Sequence, residues 1–284
     1  MTCMSNPKVS IITPYRDAAV FLPGVIANIK SQVFSDWESL LIDHGSIDHG
    51  YDLACRLTAA DPRFRHLRVS WLTSDDRRLP AIPRNVGLAH ARGDVVTFLD
   101  VDDLWHPDKL KRQLDFHQKS QLDISVTAYA KFHQDGLFTF ALRVPPESAK
   151  IRRELFYHNP IPMLSVMVRR SCLAAGFPLI YHEDYALWLS LFAEKNNLRY
   201  GCLPQVLAFY RDHSSNHSNR RPELLRWTYG VFRAAGASRR LACLGVMRWC
   251  MWHLCHVLSA SCVARSHRLS LSLLLTSEPI SLGA

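Results

Sequence analysis

Residues 94–105 read DVVTFLDVDDLW. The first half is a β-branched and aromatic run following Gly93, which predicts a buried strand over 94–99. The second half puts Asp100, Asp102 and Asp103 at the carboxyl end of that strand, where three carboxylates repel one another. Two readings follow. Hard oxygen donors suit a divalent cation, Mg2+ or Mn2+. A solvated acidic turn complementing the N-terminus of the next helix is the plainer one.

Outward from this stretch, strand and helix signals alternate. Residues 9–13 (VSIIT) predict a strand stopped by Pro14, and 21–31 a helix burying Leu22, Val25, Ile26 and Ile29. Residues 38–43 (ESLLID) predict a strand; a helix follows Asp48, whose carboxylate can accept from free N–H groups, and runs to about residue 60. A strand over 64–71 and a helix over 84–91 complete the first hundred residues. Beyond the acidic turn come a helix over 107–120, a strand over 124–131 and a hairpin around Gln134-Asp135-Gly136. A strand over 165–169, a helix from Glu183 and a strand over 206–211 follow. Such alternation predicts an α/β fold, a mostly parallel sheet with helices on its faces. Ligands of open α/β sheets bind at the carboxyl ends of strands. Three polar loops fall there: Thr13-Pro14-Tyr15-Arg16, Asp43-His44-Gly45-Ser46 and Asp100-Val101-Asp102-Asp103.

Composition narrows the class. Of 284 residues, 48% are hydrophobic and 21% charged, which excludes wholesale disorder; Gly 12 and Pro 15 exclude collagen-like repeats. Eight cysteines occur singly with no C-x-x-C pair, so zinc ribbon and thioredoxin chemistry are disfavoured and reduced thiols in a cytoplasmic protein are expected. The opening MTCMSNPKVSIITPY does not read as a signal peptide. Net charge is +9, concentrated beyond the polar stretch HSSNHSNRRP, which divides the chain into 1–218 and a basic segment, 219–284. That segment holds nine Arg against Glu223 and Glu278. The apolar and aromatic residues around these arginines point to an anionic membrane surface, not to nucleic acid.

Residues 241–258 (LACLGVMRWCMWHLCHVL) predict a basic amphipathic helix too short and too charged in its middle for a span. At roughly 100° per residue, Gly245, Arg248, His253 and His256 fall within about 140° of arc. Leu244, Met247, Met251, Leu254 and Leu258 lie on the other side. Either the helix lies in a membrane interface, or it packs its apolar side on the catalytic domain. In HEDYALWL (182–189), Glu183 and Asp184 open a helix, where acids are ordinary. A metal–phosphate centre would, however, need a separate carboxylate as base.

The blocks VSIITPY (9–15), SQVFSDWESLLIDHGSID (31–48), PRNVGLAHARGDVVTFLDVDDLWHPDKL (83–110), HEDYALWL and AFYRDHSSNHS (208–218), in this order, resemble glycosyltransferase family 2. Their spacing is similar to that of inverting, non-processive bacterial members with the GT-A fold, over residues 8–218. The HEDYALWL context is similar to enzymes of capsule, O-antigen and teichuronic-acid-type glycans. The resemblance implies a metal-dependent transfer, with Mn2+ or Mg2+, from a nucleoside-diphosphate sugar, UDP-linked, to a hydroxyl of a glycan or lipid-linked acceptor. It places the chain in the cytoplasm or peripherally on the inner face of the plasma membrane. Thr13, Pro14 and Tyr15 would edge the nucleobase pocket and Asp43 the uridine end. Arg84 and Asn85 would form the pocket floor; Asp100 would approach ribose or metal. Asp102 would be the chief metal ligand, supported by Asp103. Asp184 would be the general base with Glu183 orienting the acceptor, and Arg211 and His213 would approach the diphosphate.

Departures from the family pattern bear on the donor. His44 stands where a second acid is usual, and a neutral imidazole accepts a hydrogen bond in only one tautomer. Arg16 replaces an Asn, and Leu79 a Gly within DDRRLPAIP, whose Arg77 and Arg78 read as phosphate contacts or as a solvated loop. No Gln-x-x-Arg-Trp block of processive synthases is present. A sugar-nucleotide pyrophosphorylase would need a Gly-rich basic loop after the first strand, which TPYRDAAVFLPG lacks. A degenerate donor-binding subunit partnering an active transferase is the remaining alternative, supported by His44 and opposed by Asp100, Asp102 and Asp184.

Overall fold

The computed structural model describes residues 6–69, 79–133, 144–195, 197–212 and 223–260. The expected hairpin at 134–136, the boundary near 218, the end of the 64–71 strand, Arg77, Arg78, His213 and residues 261–284 lie outside them. Among the described residues, eight strands form one sheet: β1 (Val9–Tyr15), β2 (Trp37–Asp43), β3 (Phe64–Arg68), β4 (Val95–Phe98), β5 (Leu104–Trp105), β6 (Ile124–His133), β7 (Met167–Arg169) and β8 (Tyr200–Asp212). Their order is β3-β2-β1-β4-β7-β6-β8-β5.

The first four strands are parallel, as the alternation requires. The sheet is mostly parallel, as expected, and its second half adds three short antiparallel pairings. β7 runs antiparallel to both β4 and β6, β6 and β8 are parallel, and β5 turns back antiparallel on β8. The strand expected over 165–169 is shorter, because Met163–Ser165 forms a 3-10 turn before β7.

Pro14 does not stop β1. The Ile12 carbonyl accepts from Leu99 N–H on the β4 side, and the Tyr15 carbonyl accepts from His44 N–H on the β2 side. Pro14 shares the parity of Ile12, so its missing N–H falls on the β4 side, beyond the paired stretch that ends at Ile12 and Phe98. The strand therefore continues to Tyr15 beside Asp43.

Alternate residues feed two apolar layers. Val9, Ile11 and Leu41 pack with Leu22, Val25, Ile26 and Ile29 of α1 (Leu22–Lys30) and Leu110 and Leu114 of α4 (Lys109–Lys119). Ile12, Leu40, Ile42, Val96 and Phe98 pack with Ala81 of α3 (Ala81–His90) and Tyr185 and Trp188 of α6 (Glu183–Glu194). At Gly93 a Cβ would lie 2.6 Å from the Ser10 backbone N, so only glycine seats the turn into β4. Shorter helices α2 (Gly50–Thr58) and α5 (Ser148–Glu154) complete this part.

Two further helices, α7 (Leu224–Ala234) and α8 (Arg239–Ala260), pack in sequence on α6. Gly245 of α8 rests against the Phe232 ring of α7, where a Cβ would approach to 2.5 Å. α8 corrects the expectation of one polar and one apolar side. Ala242 and Gly245 are buried and Trp249 and Trp252 half-buried on its inner side, while Leu241, Leu244, Met247, Met251 and Leu254 are exposed on its outer side. The apolar Leu/Met side is therefore not packed on the catalytic domain. Among the described residues, no helix is long and apolar enough to cross a membrane.

Candidate active site

The carboxyl ends of β2, β1 and β4 are neighbours, so the three polar loops share one rim. At the β1–β2 side, Thr13, Tyr15, Asp43 and His44 are buried. Asp43 accepts from Ser46 N–H at 2.9 Å and from Arg68 Nε at 3.0 Å. Arg68 extends over the Tyr51 ring, 4.5 Å from its centroid, and joins the site without a signal in the sequence. Burial and the Asp43 charge push the Tyr15 hydroxyl pKa up, keeping it neutral. Thr13 Oγ1 and the Tyr15 hydroxyl are buried without a protein partner among the described residues. Asp17 N–H donates to Ser46 Oγ at 3.0 Å, and Ile47 N–H donates to Asp17 Oδ1 at 2.8 Å, stitching the two loops together. Asp48 takes Gly50 N–H at the start of α2, as expected, and also Ala19 N–H.

At the end of β4 the three acids part company. Asp100 and Asp102 are half-buried, whereas Asp103 is buried and accepts from Arg211 N–H at 2.9 Å. Burial and the neighbouring Asp102 and Asp100 carboxylates push the Asp103 pKa well above the usual range. Arg211 also donates from Nε to the Asp102 carbonyl at 2.8 Å, with its guanidinium 4.5 Å from the Phe132 ring centroid. Among the described residues no cluster of three metal-ligating side chains is assembled. Asp103 thus faces inward and anchors the turn, while Asp100 and Asp102 remain on the open side.

Across the rim stands the start of α6. His182, immediately before it, takes a left-handed backbone (φ 57°), a strained conformation that turns the chain into the helix. Arg84 joins the two sides: one terminal N–H donates to Asp100 Oδ1 at 2.8 Å and the other to Glu183 Oε1. Opposed by burial but favoured by Asp100, Glu183 and Asp184, the guanidinium pKa rises and the group stays charged. Burial pushes the Glu183 pKa up to about 7 against the pull of Arg84. Glu183 is thus a buried partner of Arg84.

Asp184 is half-buried beside it. Its Oδ1 accepts from Tyr185 N–H and its Oδ2 from Asn159 Nδ2, both at 2.8 Å. The Asn159 carbonyl oxygen accepts from Ile161 N–H at 3.2 Å, which fixes which end of the amide faces Asp184. Asn159 has no motif around it that the sequence could reveal. Asn85, expected on the pocket floor, spends both ends of its amide on the Phe177 backbone. Trp227 of α7 stacks on Tyr181, rings 4.4 Å apart, beside the acidic start of α6.

Comparison with known proteins fits this geometry. Residues 10–174 match the family described as Glycosyl transferase family 2. The chain is 31% identical over 230 residues to a putative teichuronic acid biosynthesis glycosyltransferase, TuaG, of Bacillus subtilis, covering 80% of this chain and 88% of that protein. It is 28% identical over 224 residues to WfgD of Escherichia coli, a UDP-Glc:alpha-D-GlcNAc-diphosphoundecaprenol beta-1,3-glucosyltransferase, covering 78% of this chain and 85% of that one. Among solved structures, S. aureus TarS 1-349 in complex with UDP-GlcNAc superposes with a TM-score of 0.66 at 16% identity, over 89% of this chain and 75% of that chain. The fold is that of GT-A enzymes, and the chain belongs to glycosyltransferase family 2.

Proposed function

We propose that this glycosyltransferase inverts the sugar of a nucleoside-diphosphate donor, of the UDP class, as it transfers it to a hydroxyl of a glycan or lipid-linked acceptor in envelope polysaccharide synthesis. The observation that carries the reading is the convergence of the acidic turn and the start of α6 on Arg84. It brings Asp184 to the rim where Asp43, Tyr15 and Asp100 also lie. Relatives that act in teichuronic acid synthesis and on a diphosphoundecaprenol acceptor support the acceptor class.

In this reading Asp184 takes the proton of the acceptor hydroxyl as that oxygen attacks the anomeric carbon from the side opposite the diphosphate. The carbon–oxygen bond to the diphosphate breaks in the same displacement, so no protein nucleophile is required. Asn159 holds the carboxylate by donating to one oxygen, leaving a lone pair of that group for the proton. Thr13, Pro14, Tyr15, Asp43 and His44 receive the nucleobase; the free Thr13 and Tyr15 hydroxyls are suited to donate to it. Arg211 holds the acidic turn.

Two outward carboxylates fit a Mg2+ or Mn2+ ion that takes its remaining ligands from phosphate oxygens and water. Asp102, with Asp100, would hold it, and when bound it supplies positive charge against the departing diphosphate. Asp103, buried and bonded to Arg211 N–H, supports the turn that carries Asp100 and Asp102. The basic segment 219–284 attaches the enzyme to the cytoplasmic face of an anionic membrane, where a lipid-linked acceptor resides.

The test is a panel of nucleotide sugars with Mn2+ or Mg2+, read by thermal shift and by product. Selective stabilisation by UDP compounds is expected, and a response only to other nucleotides refutes the UDP assignment. Asn159→Ala is expected to lower kcat roughly tenfold, the loss of one hydrogen bond to a charged group, with donor KM unchanged. A donor-binding subunit without chemistry would show donor binding but no transfer with any acceptor preparation.

A further inference from the structure

We infer that the outer face of α8, together with Phe156 and Tyr157, is the surface that meets an anionic lipid membrane, and that this contact sets the acceptor side of the active site against the bilayer. The inference rests on the membrane reading of the C-terminal segment and adds to it a face and an orientation.

The mounting of α8 is the first ground. A helix that is apolar on opposite sides needs cover for both. The inner side is covered: Gly245 lies on Phe232, and Trp252 stacks on His158 with ring centroids 4.0 Å apart. The outer side presents Leu241, Leu244, Met247, Met251 and Leu254 at helical spacing, four of them near 60% exposed. Proteins keep such continuous apolar stripes for a partner or a membrane.

Charge selects the occupant. Arg239, Arg240 and Arg248 are exposed on the same helix. Residues 224–260 contain no Asp or Glu at all. Apolar residues flanked by arginines, with no carboxylate among them, match an interface of acyl chains below anionic headgroups.

Continuity with the active site gives the orientation. Arg248 lies over the Tyr157 ring, 6.0 Å from its centroid, and Tyr157 and its neighbour Phe156 are exposed. His158 is clamped by Trp252, and the next residue, Asn159, donates to Asp184. Four consecutive residues thus run from the edge of the outer face to the base. Aromatic side chains at this edge suit the headgroup level of a bilayer.

The full-length chain is sedimented with vesicles of phosphatidylcholine alone or mixed with phosphatidylglycerol. It is compared with Met247→Asp/Met251→Asp and with Phe156→Ser/Tyr157→Ser, all checked for an intact UDP thermal shift. The wild type is expected to pellet with the anionic vesicles, and each double variant to lose about tenfold in partitioning. If the wild type stays in the supernatant, both the membrane reading and this inference fall. If all three pellet alike, the membrane reading stands and this face is overturned. A dimer that dissociates in Met247→Asp/Met251→Asp, without vesicle binding, makes a second copy the occupant and also overturns it.

Discussion

Asp184→Asn is expected to lower kcat by about a thousandfold, within the range a positioned general base contributes, while leaving the UDP thermal shift unchanged. The substitution keeps the size of the side chain, but an amide accepts only through its oxygen, so one of the two contacts, from Tyr185 N–H or from Asn159 Nδ2, is lost. In the proposed assignment the nucleobase contacts sit on β1 and β2, so nucleotide recognition and chemistry separate in this variant. An Asp184→Asn enzyme that transfers sugar at the wild-type rate removes the base from the mechanism. Rate loss accompanied by loss of donor binding would instead assign Asp184 to the donor site.

Arg84→Met is expected to destabilise the fold by about 3–5 kcal/mol, because it leaves Glu183 buried without its counter-charge. For a domain of this size that corresponds to a fall in Tm of roughly 10 °C. Adding Glu183→Leu should restore most of the loss, since a buried pair replaced by apolar groups is often neutral. Asp100, half exposed, can be solvated in either variant. A pH signature accompanies this pair. The Glu183 pKa lies near 7 in the folded chain against 4.5 for an unperturbed group. The folded state thus binds a proton that the unfolded state has released, and stability falls as pH rises from about 4.5 to 7. Glu183→Gln should flatten that part of the stability curve. Equal slopes for Glu183→Gln and wild type, measured by urea denaturation, would show that Glu183 does not carry the effect.

The sheet was legible where local signals agree with tertiary demands. Runs such as VSIIT and ESLLID are apolar on both faces because helices cover both faces, and β1 and β2 lie where expected. Pro14 misled because its effect depends on which neighbour its nitrogen faces, and strand pairing is not written in the local sequence. β7 turned antiparallel for the same reason: three residues pair with partners far away in the chain. Within the candidate site, the acid-rich blocks stood out, but the direction each carboxylate faces did not. Asp103 looks like Asp102 in DVDD, and only the Arg211 N–H separates their roles. Arg68 and Asn159 carry no motif; each acts on a carboxylate brought to it by the fold. On α8 the Leu/Met side was legible, but that the opposite side is also apolar and packs inward depends on Phe232 and His158, residues of other elements.

The anchorage of the acidic turn has a consequence for how such enzymes diversify. Its inward carboxylate and its Asp102 carbonyl are both held by Arg211 on β8, at the opposite end of the sheet from β2 and β3. Under the proposed assignment, loops following the first two strands can therefore be exchanged for others with different nucleotide preference while Arg211 still holds the acidic turn. If the proposed donor assignment holds, grafting across homologues should succeed one end at a time.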